Sequence, residues 1–286
     1  MLIFLEFLIF TPITLFAVFI SFFQFIKLLQ KPSLSRNWSS LCENLPKIIF
    51  SEKSEKEDVF VKNIRNAVYK NNSEFDNEVE FLNKKYKLRN ISKIWMMANP
   101  WAPFQTHIIL SFQFGDNIFD ASFLTLSYEV RKLAAVDFYT SQTIFKNFEG
   151  FYVAATEEDV FYVRTNIRKD ENLYLFPLNI DKEKSQKIFL DFAEEINNYS
   201  KKPIFYRIWR RNCLTETFKF FKKEGILNYS YFNLFNIMKL IYKNNFVENF
   251  SNKDKTFKEF LEMYKVKVPI KNVHQNKDFS LKIRGF

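Results

Sequence analysis

Glycine is nearly missing from this chain, with four residues in 286. That leaves no Gly-rich loop to cradle a phosphate or dinucleotide. Histidine occurs only twice, at His107 and His274, too few for a histidine-based metal site, so neither a metal nor an organic cofactor is expected. The two cysteines, Cys42 and Cys213, make no disulfide framework, although a single bridge between them stays open. No dense basic block is present either. Lys and Arg number 42 against 32 Asp and Glu, but the two signs are interspersed and no nucleic-acid motif accompanies them. A nucleic-acid partner is therefore excluded, and attraction to an anionic lipid surface accounts better for the net charge of +10.

What the chain has in excess is apolar and aromatic. The 37 phenylalanines read as compositional background rather than as a stacking platform. Residues 2–29 are apolar apart from Glu6, Thr11, Thr14, Ser21, Gln24 and Lys27, longer than the roughly 20 residues that span a bilayer. Without a basic leading region or a small-residue cleavage site, the run reads as an uncleaved anchor over residues 1–30, kinked at Pro12. Lys27, Lys31 and Arg36 follow it, and the positive-inside tendency alone would put the rest of the chain in the cytoplasm.

Beyond the anchor, residues 31–57 read as an irregular connector, 58–230 as the main domain and 231–286 as a C-terminal helical extension. Residues 58–70 suggest an edge strand or a short amphipathic piece, 71–87 a charged surface loop and helix, and Asn99-Pro100-Trp101 a turn. The clearest strand pattern is Thr106–Phe114, where Ile108, Leu110, Phe112 and Phe114 alternate with His107, Ile109, Ser111 and Gln113. Residues 123–131 repeat the alternation. A hairpin folded near residue 118 puts His107 opposite Glu129.

Short strands are expected at 151–155, 160–164, 173–178 and 203–209. A helix capped by Asp181 should bury Ile188, Phe189, Phe192, Ala193, Ile196 and Tyr199. Two further helices are expected over 231–250 and 257–266. The first of them has a competing reading as a surface-lying membrane helix, with packing on the domain preferred.

The chemistry concentrates at Arg210-Arg211-Asn212-Cys213-Leu214-Thr215. Here strand character gives way to helical spacing, with Asn212 as N-cap and Cys213 in the first turn. Free N–H groups and the helix dipole there favour a thiolate. An ordinary buried cysteine is the competing reading, and only a partner base separates the two. His274 sits in a polar tail without periodicity, which leaves His107. Thiol, imidazole and Glu129 carboxylate together meet the needs of nucleophilic acyl transfer. Arg131, Arg164 and Arg168 are candidates for holding phosphate or carboxylate groups, with ion pairs to Glu157, Glu158 and Asp159 as the plainer alternative.

The series His107, Ser111-Phe112-Gln113-Phe114, Ser127-Tyr128-Glu129-Val130-Arg131, Glu158-Asp159-Val160, Arg164-Thr165-Asn166-Ile167-Arg168, Leu173–Leu178 and Asn212-Cys213-Leu214-Thr215 resembles the Lnb-type family of bacterial lipoprotein N-acyltransferases. So does the stretch Asp278–Arg284. That family is similar to circularly permuted papain-like, NlpC-like enzymes, in which histidine precedes cysteine. The resemblance implies Cys213 as nucleophile, His107 as base, Glu129 as third member, and a catalytic domain on the outer face of the inner membrane. Leu214 stands where family members carry threonine, which leaves the nucleophile intact but removes a neighbouring hydroxyl.

The expected fold is α+β: an antiparallel sheet carrying His107 and Glu129, packed against the helix that starts at Cys213. The expected reaction moves an acyl chain from a membrane phospholipid to the N-terminal amine of a lipoprotein, with Asn212, Thr215 and the three arginines near the substrates. A thiol peptidase or amidase acting on cell-wall peptides, and an inactive membrane-tethered binding protein, are the alternatives.

Overall fold

The computed structural model describes residues 14–16, 18–19, 21–22, 29–51, 58–70, 77–102, 105–134, 143, 147–168, 172–228, 236–267 and 278–286. Nine strands form one sheet: β1 (Lys47–Phe50), β2 (Asp58–Tyr69), β3 (Asn77–Lys87), β4 (Ile91–Ala102), β5 (Gln105–Phe114), β6 (Ser122–Val130), β7 (Glu149–Ala155), β8 (Tyr174–Pro177) and β9 (Ile204–Phe205). The order is β1-β2-β7-β6-β5-β4-β8, with β3 paired to β2 and β9 to β7. Only the β2–β7 contact, at Arg65 and Ala155, is parallel. Within the domain the described α-helices are α1 (Glu157–Tyr162), α2 (Lys182–Tyr199), α3 (Cys213–Lys223), α4 (Ile237–Lys243), α5 (Phe257–Tyr264) and α6 (Phe279–Lys282). The α+β expectation holds.

β5 lies in the middle of the sheet and is buried on both faces. Phe112 meets Phe189 and Phe192 of α2 at ring distances of 5.3 and 6.3 Å. On the other face Ser111 donates to Glu157 of α1, and Ser111, Gln113, Thr125 and Ser127 are all at most 3% exposed. Alternation of polar and apolar residues is the pattern of a half-solvated strand. Here the polar positions are buried because neighbours within and beside the sheet satisfy them: Ser127 donates to Glu129, Thr125 to the Ala155 carbonyl, and Gln113 accepts from the Trp95 indole and donates to the Gly115 carbonyl.

Several local expectations are overturned. Residues 77–87 are a strand, not a loop and helix. β3 is the outer partner of β2, and its glutamates and lysines sit on an exposed edge, as edge strands tolerate. β4 runs straight through the expected turn at Pro100. Its pairing with β8 ends at Ala98, so Pro100 needs no N–H on that side. Val160–Arg164 is helical: Thr156 caps α1, accepting from the Asp159 N–H, with Glu157, Glu158 and Asp159 in the first turn. The helix continues as a π-turn over Val163–Ile167. Of the strand expected at 203–209 only Ile204–Phe205 is a strand, paired with β7.

The connector is folded onto the domain. β1 pairs with β2, Cys42 is 4% exposed, and Glu149 Oε1 accepts from the Ser33 N–H at 2.8 Å and lies 3.0 Å from the Arg36 guanidinium. Most of the expected anchor lies outside the described residues. Among the described ones no helix is long and apolar enough to cross a membrane. Residues 14–16, 18–19, 21–22 and 29 are helical, and Leu15, Phe16, Val18, Phe19, Phe22 and Leu29 are each 62–66% exposed. α4 packs on the domain through Ile237, Met238 and Ile241, which leaves residues 231–235 of the expected helix outside the described residues.

Candidate active site

The site begins with a turn. Asn212 is extended and its side chain accepts from the Thr215 N–H at 2.9 Å, while Thr215 Oγ1 accepts from the Asn212 N–H at 2.9 Å. This reciprocal capping box makes Cys213 the first residue of α3. Asn212 also donates to the Ile208 carbonyl, so both side chains build the turn. Both cysteines are free and buried, and the Cys213 Sγ lies 3.8 Å from the Thr106 carbonyl at the head of β5.

The second part comes from the β5–β6 hairpin. The register pairs Leu110 with Leu126, and three residues further along each strand stand His107 and Glu129, the juxtaposition expected from a fold near residue 118. His107 Nε2 lies 3.5 Å from Glu129 Oε1, an ion-pair separation, with both side chains largely buried. Because Nε2 turns to the carboxylate, Nδ1 is the nitrogen left for the Cys213 thiol.

Electrostatics follow the geometry. Burial opposes ionisation of the Cys213 thiol, but the charge and hydrogen bond of His107, the Ile108 backbone N–H and the Tyr206 hydroxyl outweigh it, and the thiol pKa falls below its ordinary value. Burial would lower the His107 pKa, yet Cys213 and Glu129 raise it. For Glu129 burial is likewise overcome, by His107 beside it and by the charges of Arg65 and Arg164, which hold the carboxyl far below the usual carboxylate range. The three groups thus favour thiolate, imidazolium and carboxylate together.

Residues that local patterns do not single out complete the arrangement. Arg65 of β2 makes a bidentate pair with Asp159, at 2.8 and 3.1 Å, and its Nη1 lies 3.9 Å from Glu129 Oε2. Asp159 also accepts from the Ala67 N–H and the Tyr69 hydroxyl. Ser127 donates to Glu129 Oε1 at 3.0 Å. Tyr206 lies beside Cys213, where its hydroxyl helps to lower the thiol pKa, and stacks on Tyr128 at 5.8 Å. Arg65 and Asp159 are 94 positions apart, so no local pattern joins them. Tyr206 had a weak signal, lying seven residues before the thiol.

The arginines separate. Arg164 is half-buried, donates to the Val160 carbonyl and contributes its charge to His107 and Glu129. Arg168 lies at the end of the same segment, where its N–H donates to the Val163 carbonyl. Arg131 differs from its expected substrate-holding position. It is 2% exposed, donates to the carbonyls of Cys42, Glu43 and Leu34, and stacks on Trp38 at 4.1 Å; it clamps the connector. The expected ion pairs of the acidic group go elsewhere, since Asp159 holds Arg65 and Glu157 holds Arg284. His274 lies outside the described residues.

A thiolate at a helix start, backed by imidazole and a charged carboxylate, is equipped for nucleophilic attack on a carbonyl. No curated protein and no solved structure matches the chain. A family model described as the Lnb N-terminal periplasmic domain matches residues 77–232, a span that includes His107, Glu129 and Cys213 but begins after β2 and Arg65. With more than half of its 286 residues covered, the chain belongs to the Lnb N-terminal periplasmic domain family.

Proposed function

We propose that this protein is a membrane-anchored thiol acyltransferase that moves a fatty acyl chain from a phospholipid to the N-terminal amine of a diacylated lipoprotein, on the periplasmic side of the inner membrane. The observation that carries the reading is the line Cys213, His107, Glu129, held at a capped helix start within the span matched by the Lnb family. The apolar N-terminal run supports confinement to the bilayer, where both substrates reside.

In the proposed reaction the Cys213 thiolate attacks an ester carbonyl of the phospholipid. The tetrahedral oxyanion is stabilised by backbone N–H groups at the start of α3 and by the Tyr206 hydroxyl. Collapse breaks the ester C–O bond, and the departing lysophospholipid oxygen takes the proton of the His107 imidazolium, leaving a Cys213 thioester. The lipoprotein amine then attacks the thioester, His107 accepts its proton, and the thiolate leaves as the amide forms. Glu129 holds the imidazole in orientation and stabilises its charged form in both halves.

The test is mass spectrometry of a reporter lipoprotein's N-terminal peptide, from a strain lacking lipoprotein N-acylation that carries either the parent or Cys213→Ala. A third acyl chain with the parent alone supports reaction and nucleophile. A diacylated peptide with both, despite membrane expression, overturns the reading and turns attention to a thiol hydrolase.

A further inference from the structure

The turn that delivers the nucleophile has a second character. From Ser200 to Thr215 there is no acidic residue, while Lys201, Lys202, Arg207, Arg210 and Arg211 all fall within it. The Arg207 and Arg211 backbones bridge, throwing residues 208–210 outward as a tip. Trp209 at that tip is 53% exposed and Arg210 is exposed beside it. Of the cations, Arg211 is drawn back to Glu216 at 3.2 Å. An exposed indole flanked by guanidinium groups is chemically matched to the boundary between lipid headgroups and acyl chains.

The tether supplies an independent argument. The chain leaving the apolar N-terminal run is caught by Glu149, through the Ser33 N–H and Arg36. Glu149 is the β7 residue paired with Phe205 of β9, four positions before Trp209. The exposed Leu29, four positions before Ser33, and the Trp209 tip therefore issue from the same corner of the sheet. A membrane that holds the first lies within reach of the second.

We propose that residues 207–211 form an interfacial docking turn, in which Trp209 inserts at headgroup level and Arg207 and Arg210 engage lipid phosphates, so that Cys213 meets a phospholipid ester at the bilayer surface. Its purpose, delivery of the acyl donor, rests on the transferase reading. Its existence is measured separately.

The full chain is reconstituted in vesicles of phosphatidylglycerol and phosphatidylcholine, with the phosphatidylcholine either unmodified or brominated near the headgroup end of its acyl chains. Subtracting the emission of Trp209→Phe from that of the parent isolates Trp209 among the four tryptophans. Docking is expected to cost the Trp209 component most of its intensity in brominated vesicles and to shield it from aqueous iodide. Arg207→Gln with Arg210→Gln is expected to reduce that quenching at least twofold, and a larger loss in phosphatidylcholine alone gives the same answer. A Trp209 component untouched by bromine and open to iodide overturns the proposal. Quenching with no acyl transfer by the parent leaves the docking turn standing and removes the transferase reading; transfer without quenching does the reverse.

Discussion

At the thiol, ionisation is decided by neighbours whose effects can be removed one at a time. Iodoacetamide alkylation of Cys213 followed against pH should show a midpoint below 9.0, the ordinary thiol value, and His107→Gln should raise it. The same variant should slow the proposed acyl transfer by about 10²–10⁴-fold, the usual worth of a positioned general base. Tyr206→Phe keeps the ring stack on Tyr128 but removes the hydroxyl. It should raise the thiol midpoint and slow transfer by about 10²-fold, as loss of one oxyanion donor does. Glu129 adds a linkage prediction. Its folded pKa lies below the unfolded value of 4.5, so its stabilising contribution is present above pH 4.5 and is lost as pH falls from there through the folded value. Thermal melts of Glu129→Gln should accordingly vary less with pH in the acid range than those of the parent. Cys213, His107 and the N-cap Asn212 were legible from local pattern, because helix capping and strand alternation act over a few residues, whereas Thr215, expected near the substrates, closes the capping box. Arg65 and Asp159 were not, since their pairing exists only once β2 and α1 meet.

Elements show the same division. The β5–β6 hairpin was readable to within a residue or two because two alternating runs flank a single break, and a two-residue period leaves little freedom in register. The edge strand β3 was not, since its solvent-facing Lys and Glu mimic a charged helix. α1 was missed because Val160-Phe161-Tyr162-Val163 has strand propensity, and the cap at Thr156 with three acidic residues after it outweighed that. One packing contact between elements gives a sharp test. A Cβ on Gly150 of β7 would lie 1.9 Å from Tyr128 Oη of β6, so glycine is required there by close approach rather than by turn geometry. Gly150→Ala should destabilise by about 1–3 kcal/mol in denaturant unfolding, and Tyr128→Ala in the same chain should recover part of the loss. Because Tyr128 carries Tyr206, the single variant should also disturb Cys213 alkylation.

For the whole molecule, the α+β class and the place of the thiol helix followed from pattern, while the closure of the sheet did not. The buried guanidinium of Arg284 pairs with Glu157 at 2.6 and 2.9 Å and lies over Phe123 and Trp95 at 3.9 and 4.6 Å. It thereby seals the face that carries Ser111 and the first turn of α1. Arg284→Met leaves the Glu157 charge buried without its partner and should cost about 3–5 kcal/mol; adding Glu157→Gln should restore part of it, as read from urea unfolding. Asp159 is two residues beyond Glu157, so the single variant should also loosen the Arg65 pair and lower transfer.

The clamp around residues 33–43 has a mechanical meaning. Arg131 grips three carbonyls of this stretch, Glu149 holds its beginning, and the Ser39 N–H donates to the Lys132 carbonyl. A pull on the N-terminal run is therefore carried into the middle of the sheet by several bonds loaded together. The segment behaves as a bolted bracket rather than a leash, limiting how far the domain can swing or spin about its attachment. In the proposed reaction an acceptor would then have to come to the thiol at a set height and bearing, and residues inserted between Ser33 and Cys42 would slacken that aim while leaving the chemistry of the thiol unchanged.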